Sequence, residues 1–438
     1  MARSKAVAKP AARKAPKPSA QSKAMAKPAT KTAAKPAPKS AAKASPGKST
    51  RFRVMDTDSH VLEGPELWTK FLEPEYRALA RSWFWPYGDD IDEKVFLNGS
   101  SVPGLNRSGI PRHAIWKPGM TADQIGGLDP KVRHPINPGA SNARARLADM
   151  DKMGIHRAVL YPTLFLHYFP LVENPDVAAA LARAYNNWVR DFAKAAPDRL
   201  IPVAVLPAQN IGLAVKELKR VAKLGFRAAM MTPAFHKDLY PSQRVFDPLW
   251  KTFEASGLVA CVHPMAGPAA REGDINAPFI DRMAEYANVG QPVSEAIAPT
   301  MDMSVFLTSM MAEGLLENFP RLKLVLAHSG ASWLPVILEK AETYLWLSPQ
   351  EHPVSLEPEK VFFNRQTMVN FSTGEGGVRR MPEDFASVAG WGSLYPNHDA
   401  SGPAEAISDL EQGGVPRDII ERLMGGNAAT LFGFAKST

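Results

Sequence analysis

The segment Asp56-Thr57-Asp58-Ser59-His60 carries two carboxylates and an imidazole at every second position. In an extended strand this spacing turns Asp56, Asp58 and His60 to one face, and Thr57 and Ser59 to the other. A carboxylate and an imidazole pointing together can begin a divalent-metal site. Two more histidines end apolar runs. His263 follows Leu258–Val262 and precedes Pro264, and His328 follows Leu322–Ala327 and precedes Ser329-Gly330. Any one of these segments fits a solvated turn or a structural histidine equally well. Their combination at the ends of separate strands is more specific than any one of them, because in a barrel those ends converge on one mouth. Cys261 shares a face with His263 and reads as a small core residue.

Strand ends can meet only if the intervening chain brings them together. Short apolar or β-branched runs predict strands at Phe52–Asp56, Ala158–Tyr161, Leu200–Leu206, Ala228–Met231, Leu258–Val262, Leu322–Ala327, Met368–Phe371 and Ala389–Ser393. Helical patterns fall between them at Pro175–Ala195, Gly212–Leu224, Pro248–Ser256, Met303–Asn318, Trp333–Leu347 and Pro403–Gln412. Strands that alternate with helices imply a parallel sheet covered by helices. Eight such units suit an α/β fold of the (β/α)8 TIM-barrel type, in which the carboxyl ends of the strands converge on one mouth. A doubly wound open sheet is the rival, but no Gly-x-Gly-x-x-Gly turn follows an early strand. Residues 83–140 and 265–300 lack regular signal and read as long insertions at the catalytic mouth, serving as lids, binding loops or subunit contacts.

The composition separates the chain into two parts. Residues 1–50 hold 11 Lys and 2 Arg, no acidic residue and no aromatic residue. Such a segment cannot bury enough apolar surface to offset its ordering entropy, so it is expected to be a disordered, partly polyproline-like tail. It resembles the basic tails of bacterial histone-like proteins. Contact with nucleic acid or another polyanion is one expectation for it, and a solubilising tail is the other. Residues 51–438 form the folded domain and carry a mild acidic excess, although the whole chain has a formal charge of +8. No apolar run reaches the roughly 18 residues needed for a spanning helix, and no signal peptide is evident. The single cysteine excludes an intramolecular disulfide and a multi-cysteine zinc site, and it fits a cytoplasmic location.

Several strings together resemble the amidohydrolase-related family that includes aminocarboxymuconate-semialdehyde and resorcylate decarboxylases. They are Asp56–Glu63, Arg146–Ile155, Tyr185-Asn186-Asn187-Trp188, Asn318–Pro335 and Gly425–Phe432. The resemblance covers roughly residues 52–436 and implies one divalent metal ion, zinc or manganese. It implies Asp58, His60 and His263 as metal ligands, and His328 as the residue that handles proton transfer. It also exposes a departure. Relatives read Gly-Ser-Asp-Tyr-Pro at the eighth strand, whereas this chain reads Gly392-Ser393-Leu394-Tyr395-Pro396. Leucine can neither coordinate a cation nor accept a proton. Asp399 or His398 could take the missing place, a water or the substrate could fill it, or the site could be metal-free.

The implied activity is hydrolysis or non-oxidative decarboxylation of a small carboxylated, aromatic substrate, with His328 and Asp399 as candidate catalytic residues. The alternative is a barrel that binds a ligand or partner without turnover, motivated by Leu394. Trp85, Arg146 and Phe165 are candidate substrate-binding residues, through aromatic packing and carboxylate pairing. Relatives of this kind lead to the expectation of a homodimer. Asn427, in Gly-Gly-Asn-Ala, is expected to tie the last helix to the barrel.

Overall fold

The computed structural model describes residues 52–87, 94–103, 105, 109–236, 238–264, 291–350, 357–363 and 367–434. The expectations for the basic tail and for residues 265–290 fall outside them. Eight parallel strands form one sheet: β1 (Val54–Val61), β2 (Ile155–Pro162), β3 (Leu200–Val205), β4 (Ala228–Met231), β5 (Val259–Val262), β6 (Lys323–Leu326), β7 (Thr367–Phe371) and β8 (Ala389–Trp391). Each predicted strand overlaps one of these. The strands pair in chain order from β1 to β8, with helices in the crossovers, which is the (β/α)8 architecture.

Helix boundaries follow the local chemistry. Asn142, Asn174 and Asn210 each accept backbone N–H groups through their side chains at the starts of Ala143–Met153, Pro175–Ala193 and Ile211–Lys223. Gly154 closes the first of these at φ 75°, a left-handed position that suits glycine. Two expectations need correction. The helix predicted over Met303–Asn318 begins earlier, as Gln291–Ala312, and breaks at Gly314 before a short turn at Leu315–Asn318. Pro299 lies inside the long helix and had weakened its signal. The irregular stretch 83–140 also contains a three-stranded antiparallel sheet of Phe84–Tyr87, Lys94–Leu97 and Ser100–Pro103.

The ring closes between β8 and β1 just beyond the end of β8. The Leu394 N–H donates to the Asp58 carbonyl at 2.9 Å, and the His60 N–H donates to the Tyr395 carbonyl at 2.6 Å. Thr57 Oγ1 adds a bond to the Trp391 carbonyl at 2.8 Å. This approach requires Gly392, where an added Cβ would stand 2.6 Å from the Cβ of Asp58. Asp58 and His60 therefore sit at the seam of the barrel. Asn427 Nδ2 donates to the carbonyls of Ala386 and Ala389, tying the last helix to the entry of β8.

Candidate metal centre

All eight residues of β1 are buried, including the five polar residues from Asp56 to His60. A buried polar group is costly unless it is paired, so their partners show what each one does. The Thr57 hydroxyl is bonded at the seam, and the Ser59 hydroxyl donates to the Val159 carbonyl of β2 at 2.9 Å. Asp56 accepts the Ser393 N–H at 2.9 Å and the Ser393 hydroxyl at 2.5 Å. Burial still pushes its carboxyl up to about 7, against the lowering effect of those bonds. Asp56 thus joins β1 to the turn after β8. The Asp58 carboxylate differs, because neither of its oxygens has a hydrogen-bond partner.

Three imidazoles surround that carboxylate. His60 Nε2 lies 3.3 Å and His263 Nε2 3.6 Å from Asp58 Oδ1, and His328 Nδ1 lies 3.7 Å from Oδ2. The nearest ligand atoms of all four residues fall within 4.8 Å of one another. The tautomers follow from the far side of the rings. His60 Nδ1 contacts the Pro162 carbonyl at 2.9 Å, and His263 Nδ1 contacts the Pro264 carbonyl at 2.6 Å. A carbonyl can only accept, so each Nδ1 carries the proton and each Nε2 presents a lone pair. His263 is neutral at ordinary pH, because burial pulls it down to about 4 despite the nearby Asp58 charge. At Asp58 Oδ1, lone pairs from three atoms therefore face one another inside a dry pocket. That arrangement is repulsive by itself and fits a shared cation. Ligand atoms about 2.1 Å from one ion stand about 3.0–3.5 Å apart, a span that includes the 3.3 Å contact and falls just short of the 3.6 Å one. A backbone carbonyl behind a ligating histidine is also the usual orienting partner.

His328 is set differently. It holds a left-handed backbone at φ 54° and remains partly open to the cavity. Burial lowers its pKa, but the Asp58 carboxylate outweighs that effect and leaves it raised, with help from the charges of Asp399 and Glu295. Leu394 also adopts a left-handed conformation, at φ 59°. Bulky side chains rarely tolerate that region, which costs about 1–2 kcal/mol and suits Asp or Asn better.

The mouth of the barrel opens into a pocket beside these residues. Its walls include His60, His263 and His328 on one side, and Thr163, Asn397, His398 and Asp399 elsewhere. Asp399 is exposed at the rim. His398 does not reach toward the metal ligands for bonding: its Nε2 contacts Arg112 Nη2 at 2.7 Å. Sequence reasoning missed His113, His167 and Glu295, which also line this cavity. The rings of His113 and His167 lie 5.0 Å apart. Burial and the neighbouring His167, His398, His60 and Arg112 push His113 well below its ordinary pKa. His113 comes from the irregular stretch 83–140, His167 from a short helix after β2, and Glu295 from the start of the long helix, and no local pattern marked any of them.

The three residues expected to bind substrate are placed away from the cavity wall. Arg146 is 1 % exposed, donates from Nε to the Gly139 carbonyl at 2.9 Å and from Nη2 to the His60 carbonyl, and lies 4.2 Å over the Tyr395 ring. Its guanidinium is committed to bracing β1 against the β8 turn. Phe165 is fully buried among Trp68, Phe84, Phe169 and Tyr185. Trp85 belongs to the small antiparallel sheet and carries Arg81 over its ring.

A parallel (β/α)8 barrel with one carboxylate and three histidines gathered at the carboxyl ends of β1, β5 and β6 defines a metal-site barrel of the amidohydrolase type. The sequence profile of the amidohydrolase family matches residues 133–434, and the chain belongs to that family. A γ-resorcylate decarboxylase from Polaromonas sp. is 27% identical over 194 residues, covering 43% of this chain and 55% of that protein. The match thus spans little more than half of that relative. Among solved structures, an amidohydrolase from Mycobacterium avium subsp. paratuberculosis superposes with a TM-score of 0.70 at 19% identity, covering 87% of this chain and 99% of that one. A dihydroxybenzoic acid decarboxylase from Polaromonas sp. JS666, solved with manganese and 2-nitroresorcinol, superposes with a TM-score of 0.57 at 18% identity, covering 87% and 96%. No helix among the described residues is long and apolar enough to cross a membrane.

Proposed function

We propose that the protein is a metal-dependent carboxy-lyase that removes the carboxylate of a small hydroxylated aromatic acid without oxidation. The observation that carries this reading is the buried Asp58 carboxylate, unpartnered among imidazoles whose lone pairs face it. Asp58, His60 and His263 would hold one zinc or manganese ion. When bound, that ion supplies positive charge to anchor the substrate carboxylate and an adjacent ring oxygen. His60 and His263 are already fixed in the ligating tautomer by Pro162 and Pro264. His328 keeps a proton beside the cavity and donates it to the ring carbon as the bond to the carboxylate carbon breaks and carbon dioxide leaves. Asp399 at the rim restores that proton from solvent.

Leu394 favours decarboxylation over hydrolysis in this reading. Hydrolysis needs a base to activate water, and Leu394 supplies none. The decarboxylases among the relatives agree with this choice. We further propose a cytoplasmic homodimer whose tail, residues 1–50, contacts a polyanion.

The test is metal analysis of the purified full-length protein, followed by a screen of hydroxybenzoates and lactones with added zinc or manganese. Stoichiometric metal and carbon dioxide release from a hydroxybenzoate are expected. A protein that stays metal-free, or that opens lactones and leaves every aromatic acid intact, overturns the reading.

A further inference from the structure

The cavity wall supplied by the β8 turn carries polar atoms that the metal site does not use. Asn397 is 7 % exposed, and its Oδ1 has no hydrogen-bond partner. The next residue, His398, lines the same cavity, and its Nδ1 is buried without a partner. Thr163, at the end of β2, adds a third such atom, its Oγ1. Each of these residues faces the cavity in company with His60, His263 and His328. Buried polar atoms left unpaired cost free energy, and a ligand that pairs them recovers it.

The hydrogen-bond sense of His398 can be worked out. Its Nε2 lies 2.7 Å from Arg112 Nη2. A guanidinium only donates, so Nε2 accepts and the imidazole proton resides on Nδ1. Arg112 is held in its charged role by Glu295, 3.2 Å away. The backbone reinforces the arrangement, because the His398 N–H donates to the Arg112 carbonyl at 2.6 Å and the Trp116 N–H donates to the Pro396 carbonyl at 3.0 Å. Arg112 thus grips His398 at both its main chain and its ring.

We propose that Asn397 Oδ1 and His398 Nδ1–H form an acceptor–donor pair that recognises a ring hydroxyl of the substrate, with Arg112 as the positioning residue that sets the imidazole tautomer. This rests on the reading of the site as one for aromatic acids, and it assigns a second polar contact away from the metal ligands. A hydroxyl both donates to Asn397 and accepts from His398. A methoxy group can only accept, and leaves Asn397 unpaired.

Calorimetric binding of 3-hydroxybenzoate and of 3-methoxybenzoate to the full-length, metal-loaded protein tests the pair. Wild-type protein is expected to prefer 3-hydroxybenzoate by about tenfold to a hundredfold. Asn397→Ala is expected to bring that ratio near one. His398→Phe is expected to weaken both ligands. Arg112→Met is expected to weaken both as well, and Arg112→Lys, which retains a donor opposite Nε2, to recover most of the loss. A wild type with no preference, an unchanged ratio in Asn397→Ala, or equal behaviour of the two Arg112 variants overturns the proposal. Metal analysis of the same samples separates the two readings. A wild type that takes up no metal defeats the metal site, whereas a metal-loaded protein with an unchanged ratio defeats the pair.

Discussion

The two strands that meet at the barrel seam treat the same site in opposite ways. β1 delivers Asp58 and His60 from a buried strand whose register shifts between Asp56 and Ser59, with the neighbouring side chains of Asp56, Thr57 and Ser59 bonded and His60 Nδ1 set against Pro162. The chain after β8 arrives at the same mouth through a turn, places Leu394 in a left-handed conformation, and offers no ligand there. Its polar groups lie further on, at Asn397 and His398, and face the cavity instead. Ligands carried on a strand are positioned by the ladder itself, whereas residues on a turn are free to be reassigned. The comparison divides the mouth into a half that gathers the candidate metal ligands and a half whose polar groups face the cavity.

The strongest challenge is to delete a strand-borne ligand. Asp58→Ala or His263→Ala is expected to weaken metal binding by at least about 100-fold, since even outer partners of ligands are worth 10–100-fold. Metal titration of the folded variants checks this, and full retention of metal would show that the strand half is not the metal half.

Removing the brace beneath β1 comes next. Arg146→Met strips hydrogen bonds from the Gly139 and His60 carbonyls and the cation from the face of Tyr395. The expected cost is about 3–5 kcal/mol in denaturant unfolding, in the range seen when one partner of a buried charged network is lost. A loss below about 1 kcal/mol would mean that the two sides of the seam are held by other contacts.

A pH experiment probes the end of β1 from another side. Glu63 is fully buried and accepts the N–H groups of Thr163, Leu164 and Phe165, while burial pushes its carboxyl from 4.5 up to about 7. The folded state therefore holds a proton that the unfolded chain releases between those values. Stability is greatest below the unfolded value and falls as pH rises toward 7, by about 3 kcal/mol if Glu63 acted alone. Glu63→Gln is expected to flatten that slope in unfolding measurements between pH 5 and 8. An identical slope in the variant would assign the dependence to other groups.

The smallest change makes the two strands alike. Leu394→Asp places a residue suited to the left-handed region at φ 59° and a carboxylate at the mouth. A stability gain of about 1 kcal/mol is expected from backbone relief, together with tighter metal binding. Leu394→Gly is the control, relieving the backbone without adding a ligand. Equal metal affinity in the two variants would show that the β8 turn does not reach the metal.

The sequence was most readable where structure is periodic. All eight strands were marked by apolar runs, and the four residues that now surround one point were marked by their place at strand ends. It was least readable where insertions form the wall. His113, Arg112 and Glu295 stand in segments whose residues have no repeating pattern, and only the closed ring brings them beside His398. Arg146 was read as an anion partner because an arginine near a site suggests one, whereas its bonds to the carbonyls of Gly139 and His60 are ones that no local pattern announces. The long helix from Gln291 was obscured by Pro299, a residue whose local preference the tertiary packing overrides.

The hydrogen bonds from Leu394 to Asp58 and from His60 to Tyr395 make the ligand-bearing backbone the last link in the ring. Closing the ring and assembling the site therefore use the same stretch of backbone. A cation held by Asp58 and His60 would act as a clasp on the cylinder, joining the first and last strands.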